Sequence, residues 1–323
     1  NDGGHFELST MYHAVVLEDL LDLINVINLF KIEIREGLLI NWKNKVSKMI
    51  FWLQNMSHPD GKVSFFNDAA FGISMNKDEL IKYAKYLDID YVYKSLALTY
   101  LEDSGYIKLE NSFALALLDV ARIGPDYLPG HAHADTLCFE LSLFGHRIFV
   151  NSGVSQYGNN STRHKQRSTS SHNTVCVDGK NSSDVWSGFR VANRAYPSKP
   201  KIIKLKDGIK VSCSHNGYDK LTTKCTHERM WKLESRAFYV KDKIIGKFKN
   251  AIAKFYIHPD VKVDFKNSNI GFFRLKLISG KILRINVTGA DKLKLETSEW
   301  FPEFGKSINN KCITVNFTSS ELT

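Results

Sequence analysis

No stretch of the 323-residue sequence is long and apolar enough to cross a bilayer as a helix, which takes about 20 apolar residues. The most apolar segment, residues 15–30, is interrupted by Glu18, Asp19, Asp22, Asn25 and Asn28, so no membrane span is expected. Cysteine is scarce: the five present (Cys138, Cys176, Cys213, Cys225 and Cys312) are odd in number and show no CxxC spacing. That excludes a cysteine zinc motif and argues against a disulfide-stapled fold. Also missing are internal repeats, low-complexity segments, helix-turn-helix signals, aromatic RNP-type runs and zinc-finger spacings, so a nucleic-acid partner is not expected. The chain opens Asn-Asp-Gly-Gly, without a charged n-region or an apolar h-region, so a signal peptide, if there was one, is expected to have been removed.

What is present is enough apolar residue, 43%, to fill the cores of two domains. The net charge of +10 is unevenly placed. Residues 1–104 hold 10 Lys+Arg against 15 Asp+Glu, whereas residues 105–323 hold 34 against 19. A change of sign this large marks a domain boundary near residue 104, and the basic second part suggests an anionic partner.

The acidic part reads as helices. Polar residues recur every three or four positions between Val, Leu and Ile over residues 11–30, with Ser9 or Thr10 as the N-cap. A second helix is expected over 35–55, stopped by SHPDG, and a third from the capping-box pair Asn76 and Glu79 to about Leu87. A fourth is expected over 91–101.

After Gly105 the period changes to two. TLCFELSL, RIFV, NTVCV, IKVSCS, AKFYI, FFRLKLI and KCITVNF are short, β-branched or aromatic, and separated by turn pairs, which indicates antiparallel sheets packed as a sandwich. The Lys-rich alternation in these runs reads as their solvated face.

Chemistry concentrates in residues 130–197. If GHAHAD is extended, His131, His133 and Asp135 share one face, since side chains alternate along a strand. His133 and His172 could then supply two imidazole ligands to a zinc ion. Arg163 and Arg167 cluster with these histidines in sequence, while Arg190 and Arg194 read equally well as sheet-face charges.

GPDYLPGHAHADTLCFELSLFGHRIFVNSG followed by QRSTSSHNTVCVDGKNSSDVWSGFRVANRA resembles the signature of the heparinase II/III superfamily of polysaccharide lyases, which includes heparin, heparan-sulfate and oligoalginate lyases. DGGHFELSTMYH and FFNDAAFG resemble segments of that superfamily's helical domain. The resemblance implies an α+β multidomain fold: a partial (α/α) toroid over residues 1–104, then an antiparallel β-sandwich over 105–323. About 104 residues hold too few helices for a whole toroid, so its first half is expected to lie outside this sequence. It also implies β-elimination on a uronate-containing glycan, such as a glycosaminoglycan or alginate, in the periplasm or outside the cell.

By position, His13 matches a toroid catalytic histidine, His131 the first histidine of the family's HxH, and His133 and His172 its metal ligands. Tyr157 is the sandwich-side candidate for a phenolic acid or base. Arg163, Arg167, Asn173, Trp186 and Arg190 are candidate substrate-binding groups. The implied cofactor is zinc or another divalent cation. Asn151-Ser152-Gly153 stands where the family commonly has Asp-Ser-Gly, so Asn151 is the expected third ligand and, as a neutral amide, a weak one. No single residue among Tyr83, Tyr86, Tyr91 and Tyr93 stands out as the toroid-side tyrosine. A carbohydrate-binding protein that kept the fold without the chemistry is the competing reading. A metallo-β-lactamase-like hydrolase would also show HAHAD, but it would carry a histidine at Thr136 and alternate strands with helices.

Overall fold

Helix α1 (Thr10–Phe30) starts where Ser9 leaves the extended region and its hydroxyl accepts the Tyr12 amide at 3.1 Å, relieving one of the unpaired first-turn N–H groups. Its stripe of Leu17, Leu21 and Ile24 packs on Val46, Ile50 and Leu53 of α2 (Leu38–Asn55) and on Leu80 and Ala84 of α3 (Lys77–Tyr86). Each such side chain contributes about 1.5–3 kcal/mol on burial. The expected capping box closes around α3: Asn76 accepts the Glu79 amide at 3.0 Å, and the Glu79 carboxylate accepts the Asn76 amide at 2.8 Å. Leu23, Val26, Leu29 and Phe30 on the far face of α1 remain exposed. The structure, a computed structural model, describes residues 1–221, 224–265 and 271–323.

Among the described residues the rest is mainly antiparallel sheet. The larger sheet runs Leu98–Leu101, Tyr106–Glu110, Ala114–Asp119, Phe139–Leu143, His146–Phe149, Ala251–Ile257, Ile308–Phe317 and Lys292–Trp300, with Val175–Val177 also paired to Ala251–Ile257. Opposite it lie Glu321–Leu322, Phe238–Gly246, Cys225–Leu233, Gly208–Tyr218 and Lys201–Leu205. Their inward residues, among them Leu118, Phe139, Ile313, Val211 and Trp231, form one core. Strand Cys225–Leu233 alternates buried and half-buried at every step, with His227 and Arg229 on the buried face beside Cys225, Trp231 and Leu233.

Two expectations need correction. Residues 91–101 are not a helix: Leu98–Leu101 pairs with Tyr106–Glu110, because the β-branched and aromatic side chains of this segment gain more against the sheet edge than in an isolated turn of helix. The sheet therefore begins at Leu98, and the expected boundary at residue 104 falls in the turn between its first two strands. A short helix α4 (Ser161–Arg167), capped by Asn160, lies inside the stretch read as β-like.

Two apolar clusters join helices to sheet and fix the site between them. Trp52, Met56 and Phe66 pack with Leu101, Tyr106, Leu117 and Cys138. Met11, Phe65 and Ala69 pack with Val150, Val154 and Trp300. Gly153, at φ +77°, lets the NSG turn pass Phe301, whose carbonyl oxygen would lie 2.2 Å from an added Cβ.

Candidate active site

The site is organised around a carboxylate, Asp68, that sequence reasoning did not single out. Asn67 adopts φ +58°, a left-handed conformation that asparagine tolerates, and bridges the two parts of the chain. Its amide donates to the Leu8 carbonyl at 3.0 Å, and its oxygen accepts the His133 amide at 3.2 Å. The next residue is thereby aimed into the sandwich. Asp68 is fully buried and accepts from His131 Nδ1 at 2.9 Å, from His133 Nε2 at 2.8 Å and from both terminal nitrogens of Arg163. Burial alone would raise its carboxyl, but these donors outweigh burial and hold it far below the usual range.

This pairing fixes the tautomers. With Nδ1–H on Asp68, His131 turns Nε2 away as a lone pair, 3.8 Å from Glu7 Oε1, on a ring that is partly exposed. The Tyr12 ring lies 4.1 Å from the His131 ring, and the Tyr12 and Tyr157 hydroxyls are 2.8 Å apart. Burial, then the charge of Asp68, pushes the Tyr157 phenol far up, so it carries its proton at neutral pH. Burial also raises Tyr12. Phe189 packs on Tyr157 at 5.3 Å and stands edge-on to His131 at 6.0 Å, closing one side.

Behind His131 lies a second set of donors. His133 gives its Nε2–H to Asp68, and His172 gives its Nδ1–H to the Ser168 carbonyl at 2.8 Å. The remaining lone pairs, His133 Nδ1 and His172 Nε2, face each other at 3.0 Å. Two lone pairs this close repel unless a cation lies between or beside them. Asp135 completes the set: its ligand atom lies within 4.8 Å of both, and its Oδ2 is buried without a hydrogen-bond partner. Burial lowers His133 to about 4 and also lowers His172, so both rings are neutral, the form that binds metal. These residues fit zinc or another divalent cation, with Asp68 orienting His133 as carboxylates orient metal-bound imidazoles.

Asp119, Asp135 and Cys138 also lie within 4.8 Å of one another. Burial and the nearby carboxylates push the Cys138 thiol well up, however, and a protonated thiol is a poor ligand.

The structure brings His131, Tyr157, His133 and His172 together, with Arg163 joined to them through Asp68, but not the other proposed groups. His13 lies on the buried stripe of α1, with Nε2 on the Met49 carbonyl at 2.9 Å and Nδ1 accepting the His5 amide at 3.2 Å. Both nitrogens are engaged, and burial holds it down to about 3. Its neighbour Tyr12 reaches the cleft instead. Asn151 is engaged elsewhere: its amide donates to the Phe65 carbonyl at 3.0 Å and its oxygen accepts the Asn173 amide at 3.3 Å. The Asp135 carboxylate lies beside the two imidazoles instead.

Asn173 is likewise a cross-link, donating to the Phe139 carbonyl at 2.9 Å and accepting the Tyr256 amide at 2.7 Å. Arg163 is engaged with Asp68, and Arg167 is buried on the Ala132 carbonyl at 2.9 Å, so neither guanidinium is free for substrate. Trp186 and Arg190 stay exposed on the hairpin that pairs Val185–Trp186 with Arg190–Val191. Arg194 binds Asp126 at 2.9 Å, a structural pair.

Comparison with known proteins agrees with this layout. Residues 1–93 match the family model described as heparinase II/III N-terminus, and residues 94–322 match heparinase II/III-like, C-terminal. Among solved structures the chain is similar to heparan sulfate lyase HepC from Pedobacter heparinus, with a TM-score of 0.76 at 18% identity over 98% of this chain and 50% of that one. It is similar to a structure described as heparinase III, with a TM-score of 0.76 at 17% identity over 100% of this chain and 54% of that one. The chain thus spans about half the length of these structures, and at such identities the likeness shows the fold alone. No curated protein matches the sequence.

Proposed function

The chain belongs to the heparinase II/III family, and on that footing we propose that it is part of a polysaccharide lyase that cleaves a uronate-containing glycan by β-elimination. The observation that carries this reading is the Asp68–His131 pair set against the Tyr12–Tyr157 pair, with the His131 ring 4.1 Å from Tyr12 and 6.0 Å from Tyr157. His131 Nε2, oriented by Asp68, takes the proton from C5 of the uronate. The C4–O bond breaks as the C4=C5 double bond forms, and the leaving oxygen takes a proton from Tyr157, which Tyr12 then helps to restore. Water is not consumed. Positioned acid and base groups of this kind contribute about 10²–10⁴-fold each.

A divalent cation held by His133, Asp135 and His172 would supply fixed positive charge behind the cleft when bound. The His131 side that opens to solvent carries Glu7 and His5 as further lining groups. The helices are read as part of an (α/α) toroid, whose remaining helices would cover Leu23, Val26, Leu29 and Phe30. A lyase of this class would work in the periplasm or outside the cell.

The competing reading is a carbohydrate-binding protein without turnover. One observation favours it: Arg163 and Arg167, the guanidinium groups nearest the cleft histidines, are both engaged internally. The test is incubation with heparan sulfate, heparin, chondroitin sulfate and alginate while following the ultraviolet absorbance of the unsaturated uronate. A rise with heparan sulfate or another uronate polymer is expected. Binding to one of them with no absorbance from any would establish the second reading instead.

A further inference from the structure

Arg229 lies in strand Cys225–Leu233, in the second sheet, and is fully buried. Its Nε and one terminal nitrogen grip Asp242 at 2.7 and 2.9 Å in a bidentate pair. The other terminal nitrogen donates to two carbonyls from separate segments, Leu137 at 2.8 Å and Asn173. Leu137 is two residues beyond Asp135, and Asn173 directly follows His172. Leu137 also sits at φ +63°, a conformation that costs a branched side chain energy and persists only where its surroundings impose it. Asp242 is fixed in turn by His227 Nε2 at 2.7 Å, and His227 Nδ1 meets His215 Nε2 at 3.2 Å.

We propose that Arg229 is a positioning residue for the His133–Asp135–His172 ligand set, pinning from the second sheet the two loops that bring Asp135 and His172 together. The proposal rests on the reading of that set as a cation site. A buried ion pair is weak evidence for stability, because an apolar pair of similar volume does as well or better. The distinctive feature here is where the guanidinium ends: on the backbone beside two of the three donors. Without it the Leu137 turn can relax toward ordinary φ, carrying Asp135 away from His172. Residues behind metal ligands that are removed in this way typically cost 10–100-fold in affinity.

The test compares Arg229→Lys with Val211→Ala, a buried change on the neighbouring strand that lowers stability without touching the loops. Zinc and cobalt affinity is measured by competition with a chromophoric chelator, alongside melting temperature, kcat and KM. Arg229→Lys should weaken cation binding at least tenfold and lower kcat with KM within about twofold. Val211→Ala should lower the melting temperature and leave cation affinity unchanged.

Equal affinity in Arg229→Lys and wild type, equal loss in both variants, or no cation uptake by wild type would each overturn the proposal. If Arg229→Lys does not fold, Asp242→Asn carries the test with the same expected direction. Arg229-dependent cation binding without any elimination activity would remove the lyase reading and leave this one standing.

Discussion

The hydroxyl of Tyr12, on the first helix, lies 2.8 Å from the hydroxyl of Tyr157, on the sandwich side of the cleft. Neither phenol can therefore change its proton without the other responding. Replacing either with Phe should leave the fold intact and cost roughly a hundredfold or more in elimination rate. The double variant should cost little beyond the worse single one, because the two act as a unit. Initial rates of absorbance change on the best substrate, measured for all three variants, check this.

Asp68→Asn should be more damaging than His131→Ala to the fold and comparable to it in rate. The amide can no longer hold both imidazoles in their present tautomers, and it leaves Arg163 as an uncompensated buried cation, at roughly 3–5 kcal/mol. Urea unfolding should show that loss for Asp68→Asn and much less for His131→Ala. Equal stability of the two variants would refute the placement of Arg163 on Asp68.

Acid should destabilise the protein before its carboxylates titrate in bulk. Burial holds His13 down to about 3 and His133 to about 4, against 6.5 in the unfolded chain. Below pH 6.5 the unfolded state binds these protons and the folded state does not. Their contribution is complete above about 6.5 and is lost progressively as pH falls toward 4 and 3, at up to ~1.4 kcal/mol per pH unit for each group. Asp68, depressed by its donors, adds loss of the same sign at lower pH. Urea midpoints should hold from pH 7.5 to about 6.5 and then fall toward 4.5, and His13→Gln should flatten that fall.

Metal binding should depend on Asp135 and not on Asn151. Asp135→Asn should abolish tight zinc uptake as read by elemental analysis. Asn151→Asp should not increase uptake, and it should lower stability, because a carboxylate there faces the Phe65 carbonyl that the amide now donates to.

Much of this was legible in the sequence, for local reasons. The α3 capping box and alternating strands such as Gly208–Tyr218 are short-range signals, and both formed as read. His131, His133 and His172 could be grouped because their motifs are compact. Asp68 could not, since it acts only through the turn at Asn67 and contacts made 63 to 95 residues away. The resemblance points to His13, but the helical period separates it from its neighbour Tyr12. Positions 10, 13, 14, 17, 21 and 24 make one helical stripe of buried residues, and His13 lies on it, whereas Tyr12 lies off it. Asn151 occupies the place where the resemblance implied a ligand, yet which side chain reaches the histidines is decided by how the loop after His133 turns.

Asp68 also limits how the molecule can move. It comes from the helical side, yet its four donors sit on the sandwich side, so swinging the two apart as rigid bodies would pull a carboxylate off a guanidinium and two imidazoles. The same swing would expose Met11, Phe65 and Trp300. A hinge at this join is thus energetically closed. On the proposed lyase function, a polymer would meet a site already set in its working shape, and its capture should follow a single kinetic phase without a slower closing step.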